Sequence, residues 1–183
     1  ASLEVHQHFG TAILHLPSPD GETAGPGRRL PVPRVDFATC RQERYSTPAA
    51  YPAVALSSLH QDLFRRDFTI NAMAVALSPD EFGVLVDPYG GATDLRPRRL
   101  RILHDRSFMD DPSRILRGIR LARHYKLRWE PHTRRALQEA MDAGALSLLN
   151  AGRIRKELTR MAQGPDARDC FQKLARLLEG GGR

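Results

Sequence analysis

The sequence predicts an α+β fold, in which short strands are concentrated in residues 1–103 and helices fill residues 104–183. In the first part, apolar and polar residues alternate over short segments, as they do in strands with one buried face. In the second part, apolar residues recur at helical spacing, and Pro, Gly or acidic residues mark the ends of the segments. The order of these two patterns along the chain indicates the fold class.

The first part is expected to form a mixed sheet with at least one helix. Its predicted strands span residues 3–5, 11–14, 34–38 and 84–86. Residues 17–33 are rich in Pro and Gly and predict a turn or loop. Ile70, Met73, Ala74 and Leu77 recur at i, i+3, i+4 and i+7, which is the spacing of one buried helix face.

The second part is expected to be an all-helical bundle. Its helices are predicted at residues 112–125, 131–144, 146–161 and 167–178. Asp111 caps the first of them and Pro112 lies in its first turn. Pro131 begins the second, and Trp129 and Tyr125 are expected to pack in the bundle.

Charge favours a polyanionic partner. Lys and Arg total 28 against 21 Asp and Glu, a net charge of +7 that is carried almost entirely by arginine. Arginine pairs with phosphate in two places at once, so nucleotides or RNA suit this composition, although GC-rich coding would produce it as well.

Neither a membrane helix nor a signal peptide is indicated. No apolar run approaches the roughly 20 residues that a membrane span needs, and the first residues lack a basic start followed by an apolar stretch. Cys40 and Cys170 lie far apart and outside any metal-binding motif, which is typical of a reduced, cytoplasmic protein.

The most specific stretch is RRDFTINAMA at residues 65–74. Two arginines at a helix N-terminus would add to backbone N–H groups and a dipole that already favour an anion. Asp67 and Asn71 lie one turn apart and project together, so they can bind a ribose diol while the arginines hold phosphate. The structural alternative is that Asp67 caps a buried helix and the arginines are solvated.

A second stretch, DDPSRILR at residues 110–117, pairs a carboxylate with a guanidinium. Asp111 and Arg114 are three residues apart and share a helix face, where an acceptor beside donors can imitate the edge of a pairing base. The alternative is a capping Asp111 with a helical salt bridge to Arg114, worth only roughly 0.2–0.5 kcal/mol.

Together with DPYGGATDL at residues 87–95, these stretches resemble the class II CCA-adding enzymes and the bacterial poly(A) polymerases in order and spacing. Shorter motifs at residues 9–12, 35–41, 44–48 and 152–158 extend the resemblance over nearly the whole chain. It implies a partial nucleotidyltransferase head (mixed β-sheet with helices) over residues 1–103. A helical neck that binds RNA and nucleotide would follow over residues 104–183.

The resemblance also implies which residues bind nucleotide. They are Arg66, Asp67, Asn71, Asp111, Arg114 and Arg117. The first three match a motif that contacts ribose and triphosphate. Asp111 and Arg114 match the pair that selects CTP or ATP by base-like hydrogen bonds, and Arg117 reaches the triphosphate.

Asp36 matches the third active-site carboxylate of the family, so it is implied to be catalytic and to bind metal. The implied reaction adds C, A or both from CTP and ATP to the 3′ end of tRNA or another RNA, with Mg²⁺ as cofactor. The stretch from residue 41 to 65 is long enough for the loop associated with adding the final A, which disfavours a CC-only enzyme.

The sequence departs from the family at Asp110, where Glu is common, and at Gly152, where some members carry Glu. The family's Gly-Gly turn and Asp-x-Asp strand do not precede Asp36 in this chain. We therefore expect an internal piece of a longer protein that is inactive in isolation. The alternatives are a poly(A) polymerase, a non-catalytic nucleotide- or RNA-binding module, and a subunit completed by another chain.

Overall fold

The computed structural model describes residues 2–6, 10–16 and 34–180. The strands in this part of the chain are β1 (Ser2–His6), β2 (Thr11–His15), β3 (Arg34–Ala38), β4 (Arg41–Arg44), β5 (Ala53–Leu56), β6 (Ala74–Val75), β7 (Leu85–Val86), β8 (Arg99–Leu100) and β9 (Arg128–Trp129). The helices are α1 (Leu59–Phe64), α2 (Gly91–Leu95), α3 (Ser107–Asp110), α4 (Ser113–His124), α5 (Pro131–Asp142), α6 (Ala151–Ala162) and α7 (Ala167–Gly180). The α+β prediction is confirmed.

The strands form four small sheets. Strands β1, β2 and β3 make an antiparallel meander in which Ile13 lies opposite both Glu4 and Asp36. Strands β4 and β5 form an antiparallel hairpin, and β6 pairs antiparallel with β7. The four predicted strands correspond to β1, β2, β3 and β7, whereas the loop predicted over residues 17–33 lies outside the described residues.

The helix predicted over residues 70–77 is wrong. A 3₁₀ turn over Thr69–Asn71 is followed by β6 instead, and Leu77 is 76% exposed. Thr69 is held from outside the segment, because its N–H donates to the Arg101 carbonyl at 2.9 Å and its hydroxyl donates to Asp94 at 2.7 Å. These tertiary bonds, together with the pairing of β6 with β7, override the local spacing of apolar residues.

The second part is helical except for β9, which pairs in parallel with β8. The prediction of an all-helical bundle therefore needs correction at Arg128–Trp129. The helix predicted over residues 146–161 is also interrupted, because a 3₁₀ turn over Ala145–Leu148 ends before α6 begins. Asn150 caps α6, since its side chain accepts the Arg153 N–H at 2.9 Å.

One core joins residues from both parts of the chain. Phe68 and Phe108 are almost fully buried and pack with Trp129, whose ring centroid lies 6.2 Å from each of theirs. Helix α4 approaches this aromatic cluster through Gly118, where an added Cβ would lie 2.5 Å from the Trp129 ring. The predicted packing of Trp129 is confirmed, but Tyr125 is 55% exposed and lies outside the core.

None of the described helices is both long enough and apolar enough to cross a membrane.

Candidate functional site

A cavity of about 480 Å³ gathers most of the residues that the sequence singled out. This cavity is here called the arginine cavity. It is lined by Glu43, Tyr45, Arg65, Arg66, Asp67, Asn71, Asp111, Arg114 and Arg117. Six of the seven predicted site residues are among them, and Asp36 is not. Four guanidinium groups and three carboxylates therefore face one space, to which β4, the end of α1, the turn after it and α4 all contribute.

The prediction that the two adjacent arginines lie at a helix N-terminus is wrong. Arg65 instead ends α1, and Arg66 follows it. Both are held by buried Asp62, which accepts from Arg65 at 2.9 Å and from Arg66 at 3.0 Å. Any attraction for phosphate at this point must come from the guanidinium charges, because the end of a helix that they occupy carries the negative end of its dipole.

Asp62 lies outside the predicted set, and its role is to hold these arginines. Burial alone would raise the pKa of Asp62, but hydrogen bonds from Arg65, Arg66 and the Arg41 N–H outweigh burial and hold the pKa below its ordinary value. The side chain of Arg66 remains 45% exposed, so this ion pair leaves N–H groups available to a ligand.

Asp67 and Asn71 lie in contact, as the spacing predicted. Oδ1 of Asp67 accepts from Nδ2 of Asn71 at 2.9 Å and from the Phe68 N–H at 2.8 Å. Its Oδ2 accepts from Arg117 at 3.1 Å. Because Asp67 is buried and bonded through both oxygens while Asn71 is exposed, Asp67 orients its neighbours and Asn71 offers polar atoms to a ligand.

Arg117 carries a firmly held positive charge. Burial disfavours that charge, but Asp67 and Glu157 outweigh burial and raise the pKa of Arg117 above its ordinary value. Glu157 lies 3.6 Å from Arg117 and 2.9 Å from Arg160. The two carboxylates thus fix the Arg117 guanidinium at the wall of the cavity.

Arg114 is buried, with 4% of its side chain exposed. It donates from Nη1 to the Ser107 hydroxyl and from Nη2 to the Arg65 carbonyl, each at 2.8 Å. Its Nη1 also lies 3.4 Å from Nε2 of His104, whose pKa is lowered by burial and by the Arg114 charge. These contacts leave Nε of Arg114 on the side of Asp111, 3.9 Å from Oδ2.

Asp111 lies two residues before the start of α4, next to Arg114 in the cavity wall. Oδ1 of Asp111 accepts from the Ser113 N–H at 3.0 Å and from the Ser113 hydroxyl at 2.5 Å. The N-cap itself is Pro112, so the predicted capping position is shifted by one residue. An acceptor and a donor, Oδ2 of Asp111 and Nε of Arg114, therefore stand side by side at the cavity wall.

Glu43 and Tyr45 were not predicted as site residues. The Tyr45 hydroxyl donates to Glu43 at 3.0 Å, and burial together with the Glu43 charge raises the pKa of Tyr45 to about 12. Tyr45 is therefore a neutral donor at neutral pH. Both residues reach the cavity through the β4–β5 hairpin, which has no strong strand pattern in the sequence. Only the family-like motif at residues 44–48 pointed to this segment.

Asp36 lies apart from this cavity. It belongs to β3, its side chain is 54% exposed, and it lies 3.3 Å from Arg34. Among residues 2–6, 10–16 and 34–180, no group of three or more His, Cys, Asp or Glu side chains is arranged to hold a metal ion. The described residues do not fit a complete two-metal site, which needs several carboxylates around the ions.

A second cavity of about 470 Å³ adjoins the first and is here called the adjoining cavity. It shares Glu43, Tyr45, Asp111 and Arg117 with the arginine cavity. Its other lining residues are Tyr51, Pro52, Ser113, Asn150, Gly152, Arg153, Lys156, Glu157 and Arg160. Five of these nine residues lie on α6, which lines the adjoining cavity and contributes no residue to the lining of the arginine cavity.

Several proteins are similar to this chain in sequence. An A-adding tRNA nucleotidyltransferase of Aquifex aeolicus is 42% identical over 125 residues, which are 68% of this chain and 15% of that protein. The enzyme of the same name from Geobacter sulfurreducens is 40% identical over 153 residues, or 84% of this chain and 16% of that protein. A CC-adding tRNA nucleotidyltransferase of Deinococcus radiodurans is 39% identical over 142 residues, which are 78% of this chain and 34% of that protein.

Solved structures agree with these relatives. A CCA-adding enzyme in an apo form superposes with a TM-score of 0.84 at 37% identity, and the match covers 96% of this chain and 38% of that one. A CCA-adding enzyme in complex with ATP gives a TM-score of 0.78 at 35% identity, over 96% and 37% of the two chains. The present chain thus spans well under half the length of each of these proteins.

The model of one protein family, the poly A polymerase head domain, matches residues 4–101. Those residues include most of the β1–β3 meander, the β4–β5 hairpin and the wall of the arginine cavity that Arg66, Asp67 and Asn71 form. The chain belongs to the poly A polymerase head domain family.

Proposed function

We propose that this chain supplies the nucleotide-binding and base-selecting part of an RNA 3′-end nucleotidyltransferase. The transferase adds C, A or both from CTP and ATP to tRNA 3′ termini. The observation that carries the proposal is the arginine cavity, in which six residues from two separate stretches of sequence face one space. The three similar sequences described above are named as tRNA nucleotidyltransferases, and these names support the choice of substrate.

Base selection is assigned to Asp111 and Arg114. Cytosine and adenine each present an exocyclic amino donor beside a ring-nitrogen acceptor, which complements Oδ2 of Asp111 and Nε of Arg114. Uracil and guanine present a carbonyl and an N–H at the same edge. They would place donor against donor and acceptor against acceptor, which leaves buried polar groups unpaired at roughly 1–3 kcal/mol each.

Triphosphate and ribose binding is assigned to the other wall. Arg66 is partly exposed and Arg117 is held charged, so both can donate to phosphate oxygens. Asn71 is exposed beside Asp67 and can both donate to and accept from a ribose hydroxyl. These contacts carry no base identity, so they would serve CTP and ATP alike.

The RNA 3′ end is assigned to the adjoining cavity, where Lys156 and Arg160 supply positive charge next to the nucleotide. In the reaction, the 3′-hydroxyl oxygen bonds to the α-phosphorus, and the bond from that phosphorus to the bridging oxygen of pyrophosphate breaks. The nucleotidyltransferase family uses a divalent metal. We propose Mg²⁺, which prefers phosphate and carboxylate oxygens, with Asp36 as one predicted ligand. No step assigned here to the described residues passes through that ion.

Reduced surroundings suit this assignment. Cys40 and Cys170 are both free thiols, and we propose a cytoplasmic location on that ground.

Poly(A) polymerase is the second candidate, and the family model that matches residues 4–101 favours it. The two candidates differ in their product. Incubation of the protein at its full natural length with tRNA that lacks its terminus, Mg²⁺ and each nucleoside triphosphate should add one to three residues of C or A and then stop. A long A tract would favour the polymerase instead, and extension with UTP or GTP at rates comparable to CTP and ATP would contradict both.

Nucleotide binding to this chain gives a test that needs no turnover. Calorimetric titration should show CTP, ATP or both binding at least about tenfold more tightly than UTP and GTP. Equal affinity for all four nucleotides would indicate that the chain binds triphosphate but does not select the base.

A further inference from the structure

The two oxygens of Asp111 have different surroundings. Oδ1 accepts from the Ser113 N–H and hydroxyl, at 3.0 and 2.5 Å, and is also paired with Nη2 of Arg153. Among the described residues, no group donates a hydrogen bond to Oδ2, and Nε of Arg114 lies 3.9 Å from Oδ2, beyond hydrogen-bonding distance. A carboxylate oxygen offers about two acceptor sites. Oδ1 is therefore saturated, while Oδ2 keeps its acceptor capacity on the side of the cavity.

Arg153 is itself fixed. Its backbone N–H is bonded to the side chain of Asn150 at 2.9 Å, which anchors it in the first turn of α6. Its Nη1 donates to the Ala49 carbonyl at 3.0 Å, and its guanidinium lies 5.9 Å from the centre of the Tyr51 ring. With two contacts besides Asp111, this guanidinium differs from a loosely held surface arginine.

Ala49, the second partner of Arg153, occupies an unusual backbone position. Its φ angle is 59°, in the left-handed region that non-glycine residues rarely adopt. Its N–H donates to the Met109 carbonyl at 3.2 Å, just before α4, while its carbonyl accepts from Arg153. Ala49, in the turn between β4 and β5, is thus tied by its N–H to the segment that carries Asp111 and by its carbonyl to Arg153 on α6.

We propose that Arg153 and Ser113 are positioning residues for base selection, because they fix Oδ1 of Asp111 so that Oδ2 alone accepts the exocyclic amino group of the incoming base. This inference rests on the proposed function of Asp111 and Arg114. Neither positioning residue touches the base in this arrangement, and both act through the carboxylate.

Anchoring matters because selection depends on register. A carboxylate held through one oxygen presents its acceptor at one place, next to the donor on Arg114. A carboxylate free to rotate could instead follow the ring N–H of uracil or guanine, which lies one position along the base edge from the amino group of the correct bases. Loss of the anchor should therefore raise affinity for the wrong bases relative to the right ones, and leave triphosphate binding intact.

The test is the ratio of dissociation constants for UTP and CTP, and for GTP and ATP, measured by calorimetry on the chain and its variants. Arg153→Met keeps the aliphatic stem and removes the donors, and it should lower the ratio by about tenfold. Arg153→Lys should restore part of the ratio, and Ser113→Ala, which keeps the backbone N–H, should lower it less. Arg155→Met makes the same change at an exposed position two residues along α6 and should leave the ratio unchanged.

A double-mutant cycle separates this proposal from the one on which it rests. If Arg153 acts through Asp111, then Arg153→Met should change the ratio no further in the Asp111→Ala background. If Arg153→Met and Ser113→Ala leave the ratio of dissociation constants unchanged while Asp111→Ala brings it close to one, the positioning role is overturned and the proposed function still holds. An equal loss of affinity for all four nucleotides in Arg153→Met also overturns it, because the arginine would then contact the triphosphate. If Asp111→Ala itself preserves the ratio, the proposed function fails first.

Discussion

Arg117 on α4 donates to Oδ2 of Asp67 at 3.1 Å, although the two residues lie 50 positions apart in the chain. This contact joins the stretch at residues 65–74 to the stretch at residues 110–117. Asp67 uses its other oxygen for the Phe68 N–H and Asn71. One buried carboxylate therefore sets the distance between the groups that we assign to ribose and to triphosphate.

Replacement of Asp67 should weaken the binding of all nucleotides equally. In Asp67→Ala, Asn71 and Arg117 lose their common partner, and the partly buried charge of Arg117 loses one of its two carboxylates, which costs affinity without regard to the base. We expect the dissociation constants for CTP and ATP to rise by similar factors, about tenfold or more. Asp80→Ala provides the control, because Asp80 is exposed and lies outside the arginine cavity. A large change in the CTP/ATP ratio would disprove the ribose and phosphate assignment.

Gly118 should tolerate no side chain. A Cβ there would lie 2.5 Å from the Trp129 ring and 2.8 Å from the Phe68 ring, so Gly118→Ala must displace the aromatic core. We expect the free energy of unfolding to fall by about 1–3 kcal/mol in chemical denaturation. Gly152→Ala is the matched control in α6, where the nearest atom lies at 3.4 Å, and it should be neutral or stabilise by up to about 1 kcal/mol. Equal stability of the two variants would contradict this account of the α4 packing.

Local spacing predicted the parts of the site that lie close in sequence. Asp67 and Asn71 are four residues apart and in contact, and Asp111 and Arg114 are neighbours on the cavity wall. That success did not depend on the correct secondary structure. The segment after Asp67 forms a 3₁₀ turn and then a strand instead of the predicted helix. A spacing of four residues nevertheless brings the two side chains to the same side of the chain, in a 3₁₀ turn as in an α-helix.

Residues delivered by distant elements could not be predicted in this way. Arg153 reaches Asp111 from 42 residues away, and Glu43 and Tyr45 arrive on a hairpin whose strands have no strong alternation. Asp62 likewise has no distinctive spacing, and its importance follows only from the arginines that fold back on it. Pairing between remote segments depends on tertiary packing, and the spacing of residues within one segment contains no information about that packing.

His104 should make stability depend on pH. Its pKa lies below the ordinary value of 6.5, first because of burial and then because of Arg114, and these outweigh Asp110 and Asp105. A group with a lowered pKa in the folded state binds its proton more readily when unfolded, so its contribution to stability is complete above pH 6.5 and is lost as pH falls through the folded pKa. His104→Gln keeps a polar partner for Arg114 without titrating. Between about pH 6.5 and 5, the melting temperature of the wild type should therefore fall more steeply than that of the variant; parallel curves would contradict the interaction.

Asp111 gives the most direct test of base selection. With Asp111→Ala, the acceptor for the exocyclic amino group disappears, whereas Arg114 keeps its bonds to Ser107 and to the Arg65 carbonyl and stays in place. Preference for CTP and ATP over UTP and GTP should fall by about 10- to 100-fold, at about 1.4 kcal/mol per tenfold. The measurement is kcat/KM for the four nucleotides in the protein at its full natural length, beside their dissociation constants for this chain. Arg114→Ala is a poorer probe, because it also strips two buried groups of their donor and should lower the melting temperature. If Asp111 only orders the start of α4 through Ser113, Asp111→Ala would lower the melting temperature and leave the four nucleotides in their original ratios. In that case the pair is a structural contact and the bases are selected elsewhere.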